Sequence, residues 1–292
     1  MPSLKDLRNR ITSVKSTQKI TKAMKMVAAA KLRKAQENAE KSRLYSEKMN
    51  EIIANLKSSI TDKSSAPRLL IGNNDNKTIL CVIMTADRGL CGGFNSNICK
   101  KSKEYINNLL KENKEVKIIT VGSKSFDQMK RNYGNYIIEK ITFKNQREIK
   151  VIDAQKISNK IISMFHKNEF DICTIFYSKF KSVISQEPIV QQIIPVKNVN
   201  NNDKITNDQN YEYEPDQEEI LDSLLPKNIT TQIFKGLLEN AASEQGARMS
   251  AMDNATRNAG DLIEKLTINY NRSRQAVITK ELIEIISGAE TL

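Results

Sequence analysis

The chain has 292 residues, with 46 Lys and Arg against 34 Asp and Glu, and a formal net charge of +12. Ten Gly, six Pro and no Trp disfavour a turn-rich sandwich or barrel and point to long helices, which need few chain reversals. One His and four Cys without a C-x-x-C pair leave little material for His-based catalysis, a Ser-His pair or a zinc site.

From Ser3 to Ile60 there is neither Gly nor Pro, and Pro2-Ser3 is a helix start. Leu4, Leu7, Ile11 and Val14 follow heptad spacing. The stripe then drifts through Ile20, Met24, Val27 and Leu32 and resumes at Tyr45, Met49, Ile52, Leu56 and Ile60. One narrow apolar seam of this kind predicts a coiled coil with a stutter rather than a broad globular face. At about 1.5 Å per residue the helix would be roughly 85 Å long.

Asp6 is the only acid among the first 34 residues, whereas Lys15, Lys19, Lys22, Lys25, Lys31, Arg33 and Lys34 fall on successive turns. A flank like that seeks an acidic partner: nucleic acid, anionic lipid or an acidic protein surface. The stretch has no aromatics for base stacking, so nucleic acid would be held through phosphates alone.

Beyond this helix the period changes. Thr78 to Ala86 is a nearly continuous apolar run, as in a buried parallel strand. Further strands are predicted over Val116–Val121, Tyr136–Ile141 and Asp171–Tyr177, with a last one, Glu187–Val196, antiparallel at the edge. Amphipathic segments separate them near Asn95–Leu110, Ser123–Asn132 and Ala154–Phe165. Alternation of this kind gives an open, mostly parallel sheet with crossover helices. Residues 198–219 are Asn-rich and acidic without periodicity, a loop or insertion.

From Pro226 to Ile286 apolar and small residues again recur at helical spacing, through Ile233, Leu237, Ala241, Met249, Met252, Ala255, Ala259, Leu262, Leu266 and Tyr270 and on through Val277, Leu282 and Ile286. That is a second helix of about 90 Å, able to bury its seam against the first as an antiparallel coiled coil. Gly236, Gly246 and Gly260 interrupt it and mark either close packing or local bending. The expected organisation is 1–60 as the N-terminal helix, 61–220 as the α/β domain with its polar insertion, and 221–292 as the C-terminal helix.

The turn Asp87-Arg88-Gly89-Leu90-Cys91-Gly92-Gly93-Phe94-Asn95 stands where a doubly wound sheet would dock a dinucleotide. Its glycines read G-x-x-G-G, neither G-x-G-x-x-G nor a P-loop, so a structural turn is expected in place of a nicotinamide site. His166 has no nucleophile at a telling position, and the four Cys read as reduced, small hydrophobes. No signal peptide and no run of about 18 apolar residues is present, so a soluble protein of a reducing compartment is expected.

Several motifs together resemble the gamma subunit of the F-type ATP synthase. They are Leu7-Arg8-x-Arg10-Ile11-x-Ser13-Val14, Thr17-Gln18-Lys19-Ile20-Thr21-Lys22-Ala23-Met24, Leu90-Cys91-Gly92-Gly93-Phe94-Asn95 and Ala242-Ser243-Glu244-Gln245-x-Ala247-Arg248-Met249. Tyr270-Asn271-x-x-Arg274-Gln275-Ala276-x-Ile278-Thr279-x-Glu281-Leu282 completes the series, in the family's order from end to end. The resemblance implies a long antiparallel coiled coil of the terminal helices with a central Rossmann-like domain. It also implies a non-catalytic rotor, without cofactor, metal or nucleotide of its own, turning inside a hexamer of alpha and beta subunits and coupling proton flow to ATP synthesis at beta. Its further partners would be epsilon and the membrane c-ring, with no nucleic acid. The place implied is the cytoplasmic face of a bacterial inner membrane, peripheral through the complex, or alternatively the mitochondrial matrix side.

By the same resemblance Arg274, Gln275 and Thr279 would meet a beta catch loop, Met24 would lie where packing affects coupling, and Lys31, Arg33 and Lys34 would face the acidic beta lever. Tyr211, Tyr213 and Glu214 would contact epsilon and the ring. The inserted cysteine pair of plastid relatives has no counterpart, so thiol regulation is not implied.

Overall fold

The computed structural model describes residues 3–59, 67–73, 76–144, 146, 148–196 and 217–290. Helix α1, Leu4–Ser59, runs unbroken for 56 residues. Its start is a capping box: the Ser3 hydroxyl accepts the Asp6 amide at 3.1 Å and the Asp6 carboxylate accepts the Ser3 amide at 3.3 Å.

The buried seam of α1 follows Leu7, Thr21 and Ala28, then jumps four residues to Leu32 and continues through Ala39, Ser46 and Ile53. The jump is the stutter, one four-residue insertion between two heptad frames. Four residues expected in the seam lie outside it: Ile20, Val27, Tyr45 and Ile52 are exposed. Ile20, Val27 and Tyr45 are each one residue from a small seam residue, and Thr21, Ala28 and Ser46 let the helices approach where a larger side chain would hold them apart; Ile52 gives way to its neighbour Ile53. A seam of small and hydroxylated residues is hard to tell from surface by hydropathy.

The C-terminal helix, here α6, covers Gln217–Glu290, 74 residues including Pro226, or about 111 Å. The sequence places its start at Pro226; the helix begins nine residues earlier. Leu221 and Leu225, ahead of the proline, are fully buried in one cluster with Met49, Ile53 and Leu56 of α1. Two buried leucines contribute about 1.5–3 kcal/mol each, which offsets the ~3 kcal/mol that an internal proline costs. The three helix glycines are sites of close packing. A Cβ on Gly246 would stand 3.1 Å from the Phe180 ring, and one on Gly260 would stand 3.2 Å from the Gln18 amide.

Between the long helices come α2 (Arg68–Ile71), β1 (Thr78–Met84), α3 (Phe94–Lys111), β2 (Glu115–Val121), α4 (Ser123–Tyr133), β3 (Ile137–Ile141), α5 (Val151–His166), β4 (Ile172–Phe180) and β5 (Gln186–Ile194). The strands lie in the order β3-β2-β1-β4-β5. The first four run parallel and β5 pairs antiparallel with β4. Among the described residues α2 and a 3₁₀ turn, Gly134–Tyr136, are unanticipated, the turn taking Tyr136 from the expected start of β3. Leu69 and Leu70 of α2 are buried, but four residues are too few for a period to show.

Alternation along β1 divides the core. Leu80, Val82 and Met84 face α5 and the lower halves of α1 and α6, whereas Ile79, Cys81 and Ile83 face α3 and α4. The long helices and the sheet therefore share one apolar cluster. All four cysteines are free and buried, and burial pushes the Cys81 thiol up to about 12 and the Cys99 thiol to about 11, as inert core residues.

Candidate functional surface of the shaft

In a doubly wound sheet the ligand crevice lies outside the carboxyl ends of the strands where their order reverses, here between β1 and β4. The turn after β1 is tied inward. One Asp87 oxygen accepts the Ser123 amide at 2.8 Å and its hydroxyl at 2.9 Å, and the other accepts the Phe143 amide at 2.8 Å. Asn95 accepts the Ala86 amide at 2.9 Å. A Cβ on Gly122, whose φ is +94°, would stand 2.2 Å from the Thr85 carbonyl oxygen.

Helix α6 closes the rest of the crevice. Its Leu237 belongs to the core on one sheet face and its Ala247 to the core on the other, so the helix crosses the strand ends. Gly92 faces Ala251, and Arg248 donates to the Gly89 carbonyl at 3.3 Å. Arg248 also pairs at 2.7 Å with Glu244, whose carboxyl burial pushes above its ordinary range. The groups that would meet a pyrophosphate are thus engaged by the chain itself. An open groove of about 670 Å³ lies elsewhere, between α1, α5 and α6, lined by Lys41, Tyr45, Val151, Lys227 and Phe234 among others.

What remains is the outside of the shaft. Its antiparallel register is set by polar pairs. The Thr21 and Thr256 hydroxyls meet at 2.8 Å, Lys25 reaches Asp253 at 2.5 Å, and Gln232 donates to Ser46 at 3.0 Å and to Asn50 at 2.9 Å. This register brings Leu4 level with about Arg274. The last sixteen or so residues of α6, about 24 Å of helix, extend past the start of α1. There Val277, Ile278, Leu282, Ile283, Ile285 and Ile286 are all exposed, although Val277, Leu282 and Ile286 are expected in the seam. At 100° per residue the six cover about two-thirds of the circumference, and Lys280 and Glu284, paired at 3.6 Å, occupy the rest.

The residues singled out by sequence occupy separate levels of this shaft. Arg274, Gln275 and Thr279 are exposed on the projecting end, with the Thr279 hydroxyl donating back to the Gln275 carbonyl at 2.9 Å. Met24 is half-buried in the seam, next to Lys25 and its partner Asp253, some twenty residues or about 30 Å from Arg274 along α6. Lys31, Arg33 and Lys34 are exposed further down. Arg33 pairs with Glu37 at 3.5 Å and Lys34 with Glu148, ahead of α5, at 2.5 Å. Tyr211, Tyr213 and Glu214 lie outside the described residues. His166 is exposed at the end of α5.

The ATP synthase family model matches residues 3–292. The ATP synthase gamma chain of Pelagibacter ubique is 65% identical over 292 residues, covering all of both chains. The chain belongs to the ATP synthase gamma-chain family. Among solved structures, a central stalk and c-ring structure of the Tetrahymena thermophila mitochondrial ATP synthase aligns at 26% identity with a TM-score of 0.60, covering 81% of this chain and 99% of that one. A chain of the Euglena gracilis mitochondrial enzyme aligns at 20% identity with a TM-score of 0.71, covering 99% of this chain and 94% of its own, and supports the fold. In this gamma-chain family member, sequence reasoning missed Arg43 and Glu239, which bind each other across the shaft. The available signal was a Glu-Asn pair inside the small and apolar stretch Leu238–Ala242, since a charge there must be partnered.

Proposed function

We propose that this chain is the central stalk of an F-type ATP synthase, a rotor with no catalytic site of its own. It turns inside the alpha–beta hexamer and couples proton flow to ATP synthesis at the beta subunits. The observation that carries this reading is the projecting end of α6. A helix end that exposes six large aliphatic side chains is stable when enclosed, and a ring of subunits closing around it supplies a largely apolar sleeve in which it can turn. Rotation then acts by differential contact, each orientation favouring one conformation of a beta site.

Below the sleeve, Lys15, Lys19 and Lys22 are exposed on α1 and suit an acidic beta surface passing without deep interlocking. Lys31, Arg33 and Lys34 face the beta lever. Lys34 and Arg33 exchange their internal partners Glu148 and Glu37 for lever carboxylates as the shaft turns. Arg274, Gln275 and Thr279 offer donors to an acidic catch loop, while the foot segment with Tyr211, Tyr213 and Glu214 meets epsilon and the c-ring. The working division is 1–60 and 221–292 for the shaft and 61–220 for the domain that hangs from it. The chain sits on the cytoplasmic face of a bacterial inner membrane, held there through the complex; no described helix is long and apolar enough to cross a membrane.

Met24 tests the reading. Replacing it by Lys puts a second cation beside Lys25 at a half-buried seam position and at the level of the hexamer. Met24→Lys is expected to assemble and hydrolyse ATP while pumping fewer protons per ATP, measured by ATP-driven acidification of reconstituted vesicles. Unchanged pumping at equal hydrolysis contradicts a coupling role for this level of the shaft.

A further inference from the structure

The carboxyl end of β4 has an unusual partner. Strand β1 pairs with β4 only from Ile79 opposite Ile172 to Ile83 opposite Phe176, whereas β5 accompanies β4 to Phe180. Past Phe176 the β1-side edge therefore has no strand. Side chains of the two long helices take its place. Asn240 accepts the Ser178 amide at 3.2 Å and the Ser243 hydroxyl donates to the Ser178 carbonyl at 2.9 Å. Glu239 accepts the Phe180 amide at 2.9 Å, and Arg43 of α1 donates to the Phe180 carbonyl at 2.8 Å.

Arg43 and Glu239 are bound to each other as a two-pronged pair, Nη2 to Oε2 at 2.8 Å and Nε to Oε1. The Glu239 side chain is fully buried and that of Arg43 is 27% exposed. One ion pair thus joins α1, α6 and the last residue of β4, and every link in it is directional. The apolar cluster below it resists separation of the domain from the shaft, but apolar contacts are non-directional and oppose sliding and twisting weakly. Charge-assisted, forked hydrogen bonds fix an angle.

We infer that the Arg43–Glu239 pair is a torsional joint, which holds the α/β domain at one angle on the shaft so that torque passes between them without slip. Both are positioning residues: neither meets nucleotide, and they act through the backbone of β4. The inference rests on the rotor reading.

The test uses assembled alpha–beta–gamma complexes fixed to a surface through beta. A bead is attached at one of two exposed sites, Glu104→Cys on α3 or Glu51→Cys on the shaft. The four native cysteines are buried, so the introduced thiol is the one labelled. In complexes stalled without ATP, the angular spread of the bead reports the compliance between hexamer and attachment point. Glu239→Gln keeps side-chain volume but sets an amide donor against the guanidinium. It is expected to broaden the spread of the bead on α3 and leave that of the bead on the shaft unchanged. Arg43→Lys, which keeps the charge and loses the fork, is expected to broaden it less, and it serves if Glu239→Gln does not assemble. Equal spread in variant and wild type at Glu104→Cys, or equal broadening at both sites, overturns the joint. A wild-type bead that never rotates when ATP is added overturns the rotor reading instead.

Discussion

Asp253 lies between two cations, Lys25 of the facing helix at 2.5 Å and Arg257 one turn on at 2.6 Å. Their hydrogen bonds hold its carboxyl below the ordinary carboxylate range. The unfolded value is near ~3.9 and the folded value lies lower, so the stability contributed is fully present above the unfolded value. It is lost as pH falls through the folded one. Asp253→Asn is therefore expected to be less stable than wild type at neutral pH and to lose less on acidification. Thermal melting followed from neutral pH to about pH 2 measures this, and parallel acid limbs in the two proteins contradict it. Not every carboxylate behaves this way. Glu244 is pushed upward by burial against the pull of Arg248, so its contribution runs in the opposite sense, favouring the folded state at low pH.

At the level of elements, the strands and three domain helices were legible because the signals that define them are local: a continuous apolar run for a strand buried on both faces, and a change of period on either side. The end of each long helix was less so. Pro226 reads as a start by its own chemistry, and only tertiary burial of Leu221 and Leu225 shows that the helix continues through it. Leu225→Ala is expected to cost about 2–5 kcal/mol, read from urea unfolding. A cost under about 1 kcal/mol, that of a surface position, would mean the turns before Pro226 are not part of the core. The seam of α1 was half legible, since heptad spacing and the stutter are visible in Leu7 and Leu32, but Thr21 and Ser46 carry no hydropathic signal. The Arg43–Glu239 pair was illegible: its partners are 196 residues apart, and nothing local says that a strand edge lacks its neighbour.

For the molecule as a whole, charge and shape divide the work. The basic surplus lies in α1 and the α/β domain, while residues 220–292 carry eight basic and nine acidic residues, nearly neutral. The helix that projects furthest thus has little net charge and exposes large aliphatic side chains at its end, suited to an enclosing sleeve, and the helix beside it carries the exposed cations that the proposal sets against acidic protein. The placement of Arg274, Met24 and Lys31 on three levels of one shaft means that a turn of the molecule moves all three past the ring of subunits together, provided the shaft is stiff. The most direct measurement is to assemble this chain with alpha and beta subunits, fix the complex through beta, attach a bead at Glu104→Cys and supply saturating ATP. Steady rotation in one direction is the predicted result. A stationary bead on complexes that are assembled and hydrolysing ATP would contradict the account.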